Sequence, residues 1–351
     1  NKSVAAAIYD EDADDTASEF AGAITDTEVT VNYHSKLGHL GRKALTLTND
    51  RYKLGISSED LANHSCDVCI SCKAKRAPIG VLTAAPSRKA TQIMHCWHAD
   101  LVGPFSIFEN NRRIQSPSID GKCYCLVIVD EYSRYVMVYP LQSKHEATGA
   151  LIKMIKLRQT PTEITLKHLH TDGGGEFVNK ELSTFLSGQG TEHTTTVPHS
   201  PRLNGIVERM NQKLSEMARC LLQHQAYELW SHAYLYAAHI HNRVCQPSLE
   251  GHVPAAIMHP HQTFNLDKIK QFGCDAHVMI EEGKRGKLQP RTRPGIFIGF
   301  NEQYNAYKVL TTDGKVVISR DVTFQESSSQ QLQSILLKIT QLAEQNSTIE
   351  D

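Results

Sequence analysis

The period of apolar and polar positions changes along the chain and divides it into segments. Residues 122–130 (KCYCLVIVD) and 134–141 (RYVMVYPL) are β-branched and aromatic, with a polar turn at 131–133 between them, which predicts a hairpin. Residues 145–159 show helical spacing at Ala147, Leu151, Met154 and Ile155, and 166–171 reads as a strand ending at Asp172 and Gly173-Gly174-Gly175. A short helix over 180–186, stopped by Gly188 and Gly190, precedes a strand over 191–197. From Leu203 onward, Ile206, Val207, Met210, Leu214, Met217, Ala218, Leu221 and Leu222 step by three and four, as in an amphipathic helix. With the apolar-aromatic strand IMHCWHAD ending at Asp100, the order over 94–245 is β-β-β-α-β-α-β-α, an α/β domain on a mixed sheet.

The flanks differ. Residues 30–80 are rich in His, Cys and Lys and lack long periodic segments, as in a small domain held by something other than a large core. Residues 270–325 are short β-rich runs (HVMI, GIFIGF, AYKVL, KVVISRDVTF) divided by turns such as Thr312-Asp313-Gly314, predicting a small β-barrel or sandwich. The expected organisation is a leader over 1–28, a small domain over 29–85, the α/β core over 90–255, a β-rich domain over 262–325, and a Ser/Gln-rich tail over 326–351 with a weak helical pattern.

Composition narrows the class. At 351 residues and 40% hydrophobic content, two or three domains with real cores are expected. No apolar run approaches the ~18 residues of a membrane span, and the N-terminus lacks the basic-then-apolar pattern of a secretory signal. A first residue other than Met implies a piece of a longer polypeptide. Nine cysteines, an odd number in a long chain, argue against a disulfide framework and for a reducing compartment. The net charge of −1 is uneven: residues 1–28 carry eight acids against Lys2, leaving the remainder at +6. The leader reads as a disordered acidic tail, and the mildly basic body admits a nucleic-acid partner without establishing one.

Two close pairs, His34/His39 and Cys66/Cys69, lie 26 residues apart in the small His/Cys-rich segment. Zinc takes four N or S ligands in a tetrahedron, and two such pairs supply them. The histidines are expected on one face of a short helix and the cysteines in a knuckle turn, with His64 and Cys72 as nearby alternatives. In the core, Asp100 and Asp172 end strands and Glu208 sits at the edge of the long helix's apolar stripe, with 35 residues between it and Asp172. A carboxylate trio of this kind can hold two Mg²⁺ or Mn²⁺ ions about 4 Å apart for in-line phosphoryl displacement. Asp130 is a rival to Asp100, but its place at the hairpin end suits ordering the turn with Ser133. Glu176 rivals Glu208 but is too close to Asp172 to come from a separate element.

The His/Cys pairs, Asp100, HTDGGGEF (170–177), HSPRLNGIVERMN (199–211), VDEYSRYVMVYPLQSK (129–144), and the stretches FGCDAHV, KLQPRTRPGIFIGF and VISRDVTF over 272–324 together resemble the integrase of copia-type LTR retrotransposons. The resemblance covers roughly residues 30–325 and departs at Gly173, where the family usually has Asn. It implies an N-terminal HHCC zinc-binding domain, an RNase H-like mixed-sheet catalytic core with a D,D-35-E triad, and a small β-rich C-terminal DNA-binding domain. It further implies that His34, His39, Cys66 and Cys69 hold one structural Zn²⁺, and that Asp100, Asp172 and Glu208 hold the catalytic Mg²⁺ or Mn²⁺ pair. Double-stranded DNA as element end and target, a homo-oligomer, a host tethering factor, no membrane, and a nuclear site of action after a cytoplasmic virus-like particle complete the expectation.

For DNA contact, Asn204, Arg209 and Lys213 flank Glu208 off the apolar stripe, with Asn211 and Gln212, and Gly205 removes bulk one turn earlier. Lys284, Arg285, Lys287, Arg291 and Arg293 form the densest basic run, serving as a phosphate grip, an import signal or a solvated loop. Two rival functions stand beside the integrase: a catalytically inactive or domesticated DNA-binding relic, and a hydrolytic nuclease of the same fold.

Overall fold

The computed structural model describes residues 26–73, 90–109, 112–195, 205–222 and 227–326. Most of the acidic leader, Asn204 and the tail from 327 lie outside the described residues. Four short helices come first: α1 (Asp26–Lys36), α2 (Arg42–Tyr52), α3 (Ser58–Asn63) and α4 (Asp67–Lys73). The core then runs β1 (Cys96–Val102), β2 (Ser106–Glu109), β3 (Arg112–Gln115), β4 (Tyr124–Asp130), β5 (Val136–Leu141), α5 (Ala147–Thr162), β6 (His168–Thr171), α6 (Lys180–Gln189), β7 (Glu192–Thr195) and α7 (Gly205–Leu222). After α8 (Trp230–Arg243) and α9 (Pro254–Met258) come β8 (Asp275–Met279), β9 (Thr292–Asn301), β10 (Ala306–Thr311), β11 (Val316–Ser319) and β12 (Val322–Gln325).

The central sheet has the order β5-β4-β1-β6-β7. β5, β4 and β1 form an antiparallel meander, whereas β6 and β7 join β1 in parallel, with α5 and α6 in the connections. This is the RNase H-like mixed sheet. Side chains on a strand alternate between faces, and the sheet obeys that rule closely. Leu126, Ile128, Trp97, Ala99 and Leu169 enter one apolar cluster with Leu151 of α5 and Leu182 of α6. Cys125, Val127 and Val129 enter the other, with Val207, Met210 and Leu214 of α7. Alternation therefore turns Cys96, His98 and Asp100 toward the α7 side.

Three elements depart from the sequence reading. Residues 106–115 fold into the two-stranded β2–β3 hairpin, outside the central sheet. α8 runs through the interior with Trp230, Ala233, Tyr234, Tyr236, Ala237 and Ile240 buried alongside His232, His239 and His241. The run KVVISRDVTF is two strands, β11 and β12, parted at Arg320-Asp321 and placed at opposite edges of the second sheet, β11-β10-β9-β8-β12. The first segment also has more core than expected. Leu37, Leu40, Leu45, Ile56 and Leu61 are buried in the same cluster as α7, α8 and the β9 residues Ile296 and Phe297.

β1 ends where the chain passes Gly103, at φ 128°; a Cβ there would lie 2.8 Å from the Cys123 carbonyl oxygen. Asp130 is fully buried at the end of β4. It accepts hydrogen bonds from the Met94 N–H (2.8 Å), Trp97 Nε1 (3.1 Å), and both the N–H (2.8 Å) and Oγ (2.7 Å) of Ser133. It ties the β4–β5 turn to the start of β1. Asp130→Ala strands these buried donors and is expected to lower the unfolding free energy by about 3 kcal/mol or more, read from urea denaturation.

Candidate active site and metal centre

The register of β1 with β6 assembles the first two acids. Cys96 pairs with His168, Trp97 with Leu169 and His98 with His170. The same offset carried two residues further sets Asp172, just past the end of β6, beside Asp100. The third acid arrives on α7. Asn211 Nδ2 donates to Asp100 Oδ2 at 2.7 Å, and Glu208 lies three residues earlier on the same helix, on the same side of it. The Leu101 N–H donates to the other Asp100 oxygen at 2.9 Å.

Electrostatics registers this convergence. The Asp100 carboxyl is raised above the ordinary range, first by burial, then by the negative charge of Asp172, with Glu208 adding to it; the Leu101 and Asn211 donors oppose the rise. Two hydrogen-bond donors do not neutralise three carboxylates, so the residues suit a divalent cation, which would relieve the repulsion. The acids form a wide set. Among the described residues two other groups of three or more metal-ligating atoms lie within 4.8 Å of one another, and the trio is not one of them. A pair of cations about 4 Å apart requires a broader span than a single ion.

Asn211, expected among the DNA contacts from its place off the apolar stripe, turns its amide to Asp100. Asn211→Ala is expected to raise roughly 10-fold or more the Mg²⁺ or Mn²⁺ concentration at which these acids bind the ion, as loss of a partner behind a metal ligand does. A metal titration of thermal stability checks it.

The other expected contacts divide. Arg209 is exposed, and its guanidinium folds back over Gly205, 3.3 Å from where a Cβ would stand, so the gap left by that glycine is already filled. Lys213 turns inward. Its Nζ donates to Gln246 Oε1 at 2.6 Å, and burial brings its pKa down to about 8. It therefore does not present a free ammonium to phosphate, because the apolar stripe is wider than its neighbours implied. In the basic run, Lys284, Lys287, Arg291 and Arg293 are exposed, with Lys284 against Glu281 (2.7 Å) and Arg293 near Asp313 (3.8 Å). Arg285 is different: its side chain is 14% exposed and its Nε donates to the Ile280 carbonyl at 3.3 Å. It braces its own loop.

The structure brings His34, His39, Cys66 and Cys69 together. His34 Nε2 lies 3.1 Å from Cys69 Sγ, and His39 Nδ1 lies 3.3 Å from Cys66 Sγ and 3.7 Å from Cys69 Sγ. The local structure differs from the sequence expectation. His34 is in the last turn of α1, whereas His39 lies beyond it at φ 59°, after the left-handed Gly38. A spacing of five residues turns the second side chain well away from the first on one helix, so the chain must leave the helix to converge. Cys66 precedes α4 and Cys69 is inside it, a three-residue step that faces both thiols one way. Burial leads in lowering His34 to about 3 and His39 to about 4, so both imidazoles are neutral and ready to ligate. Burial raises the Cys69 thiol to about 11 against the pull of Lys73, whose ammonium donates to the His39 carbonyl; a metal would have to displace that proton. Of the two alternatives, His64 has its ring 4.4 Å from that of His34 but is outside the four-atom set, and Cys72 is buried beside Cys220 of α7.

Sheet order, acids and His/Cys cluster define the class: an RNase H-like integrase core between a helical segment carrying a clustered His/Cys set and a β-sheet unit. Residues 90–201 match the integrase core domain family, and residues 274–336 match the retroviral polymerase SH3-like domain family. Relatives include the retrovirus-related Pol polyprotein from transposon TNT 1-94 of Nicotiana tabacum, 28% identical over 304 residues, covering 86% of this chain and 22% of that protein. The Pol polyprotein from transposon RE2 of Arabidopsis thaliana is 28% identical over 299 residues, covering 84% of this chain and 19% of that protein. The Ty1-DR4 Gag-Pol polyprotein of Saccharomyces cerevisiae is 23% identical over 206 residues, covering 56% and 12%. Among solved structures, a chain of the simian T-cell lymphotropic virus intasome in complex with PP2A regulatory subunit B56 gamma is similar at 18% identity and a TM-score of 0.41, covering 86% of this chain and 98% of that one. The chain thus carries an integrase core domain and a retroviral SH3-like domain, and its relatives are Pol polyproteins of copia-type elements. It spans about a fifth of the length of the plant polyproteins it matches. Among the described residues no helix is long and apolar enough to cross a membrane.

Proposed function

We propose that this chain is a polynucleotidyl transferase that joins the 3′-hydroxyl ends of linear element DNA to a target duplex. The observation that carries the reading is the β1–β6 register that sets Asp172 beside Asp100, with α7 bringing Glu208 to the same place. Two Mg²⁺ or Mn²⁺ ions held by these acids would activate the attacking oxygen and stabilise the leaving one. The protein's own part is to hold the carboxylates at fixed places: Asp100 on β1, Asp172 just past the end of neighbouring β6, Glu208 on a helix anchored by its apolar stripe, and Asn211 fixing one Asp100 oxygen. In strand transfer the 3′-oxygen bonds to a target phosphorus as its hydroxyl proton leaves to solvent, the phosphorus–3′-oxygen bond of the target breaks, and the departing 3′-oxygen takes a proton from solvent. No covalent protein intermediate is needed.

In this reading His34, His39, Cys66 and Cys69 hold one structural zinc, and Arg209 with the exposed Lys284, Lys287, Arg291 and Arg293 contact DNA phosphates. The domain limits are those set out from the sequence, the working form is a homo-oligomer able to hold two DNA ends, and a host protein tethers it in the nucleus after assembly in a cytoplasmic particle. Incubation with short element-end duplexes, a supercoiled plasmid and Mg²⁺ or Mn²⁺ tests the reaction. Joined products are expected. Nicked plasmid without joining would make the chain a hydrolytic nuclease, and DNA binding with neither product would make it an inactive relic.

A further inference from the structure

The sheet face that carries Asp100 and Asp172 carries a second group of ligating side chains that the proposed reaction does not use. Cys96 and His98 precede Asp100 at alternate positions on β1, and Glu131 follows β4, its N–H donating to the Cys96 carbonyl at 2.9 Å. His98 Nε2 lies 3.1 Å from Glu131 Oε2 and 3.7 Å from Cys96 Sγ, and the three ligand atoms all fall within 4.8 Å of one another. Bonds of about 2.0–2.3 Å in a tetrahedron give ligand-to-ligand edges of about 3.3–3.8 Å, close to these separations and to those of the His34/His39/Cys66/Cys69 set.

A fourth side chain lies beside this three-residue group. His170, opposite His98 in the β1–β6 register, has its ring 5.4 Å from the His98 ring. Its Nδ1 is held by Thr194 Oγ1 at 2.7 Å, while its Nε2 is buried with no hydrogen-bond partner among the described residues. His98 and His170 are 6% and 7% exposed. One ring nitrogen held by a neighbour and the other left bare is how a protein presents a histidine to a metal. A His98–Glu131 ion pair alone accounts for neither the Cys96 thiol beside it nor the bare nitrogen of His170.

We infer that Cys96, His98 and Glu131 form a second metal site, suited to Zn²⁺, with His170 lining its open fourth side. The donor set selects the cation: a thiolate and an imidazole suit zinc, whereas Mg²⁺ prefers oxygen alone. Binding would form a sulfur–metal bond at Cys96 and release the thiol proton to solvent. Burial, followed by the Glu131 charge, pushes that thiol up to about 12, so the metal-free group is a neutral thiol beside a carboxylate. An ion here would fasten β1 to the end of β4, two residues from Asp100, and face β6 two residues before Asp172. The site stands whether or not the chain joins DNA.

The test is zinc content by mass spectrometry and zinc-edge X-ray absorption on the full chain, equilibrated with micromolar zinc and desalted. Two zincs per chain sharing three sulfur ligands are expected. Cys96→Ser should leave one zinc with two sulfurs, Glu131→Gln should weaken the second zinc, and Asp100→Asn should keep both. One zinc with two sulfurs in the unaltered chain would overturn the proposal, and needs no variant to fold. A second zinc that survives Cys96→Ser would overturn it too.

Discussion

Asp100→Asn, Asp172→Asn and Glu208→Gln should each reduce the proposed strand transfer about 10³-fold or more. Losing a cation worth several kcal/mol of transition-state charge stabilisation has that consequence at about 1.4 kcal/mol per tenfold. Asp100→Asn carries a second signature that separates lost chemistry from lost fold. The Asp100 carboxyl is raised in the folded protein by burial and by Asp172 and Glu208. The folded chain therefore holds that proton to higher pH than the unfolded chain does. This group's contribution to stability falls as pH climbs from the ordinary carboxylate range through the raised value, and it stays lost at neutral pH. Removing the charge should raise the Tm of the metal-free protein, while the further rise on adding Mg²⁺ or Mn²⁺ disappears. A thermal scan with and without metal reads both. Near-normal strand transfer by all three variants would end the metal mechanism, and a fall in the metal-free Tm of Asp100→Asn would contradict the charge crowding.

Chelation has the second large effect. Structural zinc in small domains supplies on the order of 10 kcal/mol of folding free energy, and α1–α4 are too short to persist alone. Removing the ion should open residues 26–73 to trypsin before any other described segment, with helical circular dichroism falling and returning on zinc addition. The loss should reach further, because Leu37 and Leu40 share a core with α7, and Gly38 sits against Met217 and Ile240. The remaining core should therefore melt at a lower temperature. An unchanged protease pattern after metal removal would count against zinc in this cluster.

The sequence disclosed α7 because one face is wet and the other dry, so its apolar residues keep a 3.6-residue rhythm. It withheld α8 for the opposite reason: that helix is buried on nearly all sides, histidines included, so no polar face marks its period. The hairpin of 122–130 with 134–141 was legible from its β-branched runs, whereas β2–β3 was not, since Phe108 and Ile114 are exposed and no dry face imposes alternation. The acids could be suspected singly as strand-end and helix-edge residues. Their meeting depends on which strand lies beside β1, which a one-dimensional pattern does not contain. Asn211 and Lys213 show the same limit at finer scale. One position off the stripe reaches Asp100 and another reaches Gln246, and only packing separates them from the outward Arg209.

The β-sheet unit is seated on α8, not suspended beside it. Tyr236 meets Phe297 edge-on at 5.1 Å and exchanges hydrogen bonds with the Lys270 backbone, while His239 and Arg243 hold Glu302 at 2.7 and 2.8 Å. Swinging this unit outward on a tether would wet that aromatic seam and part Glu302 from His239 and Arg243. In the proposed reaction the nucleic acid would then meet a fixed grip, and the path it takes between acids and basic loop would be set by the protein before any encounter takes place.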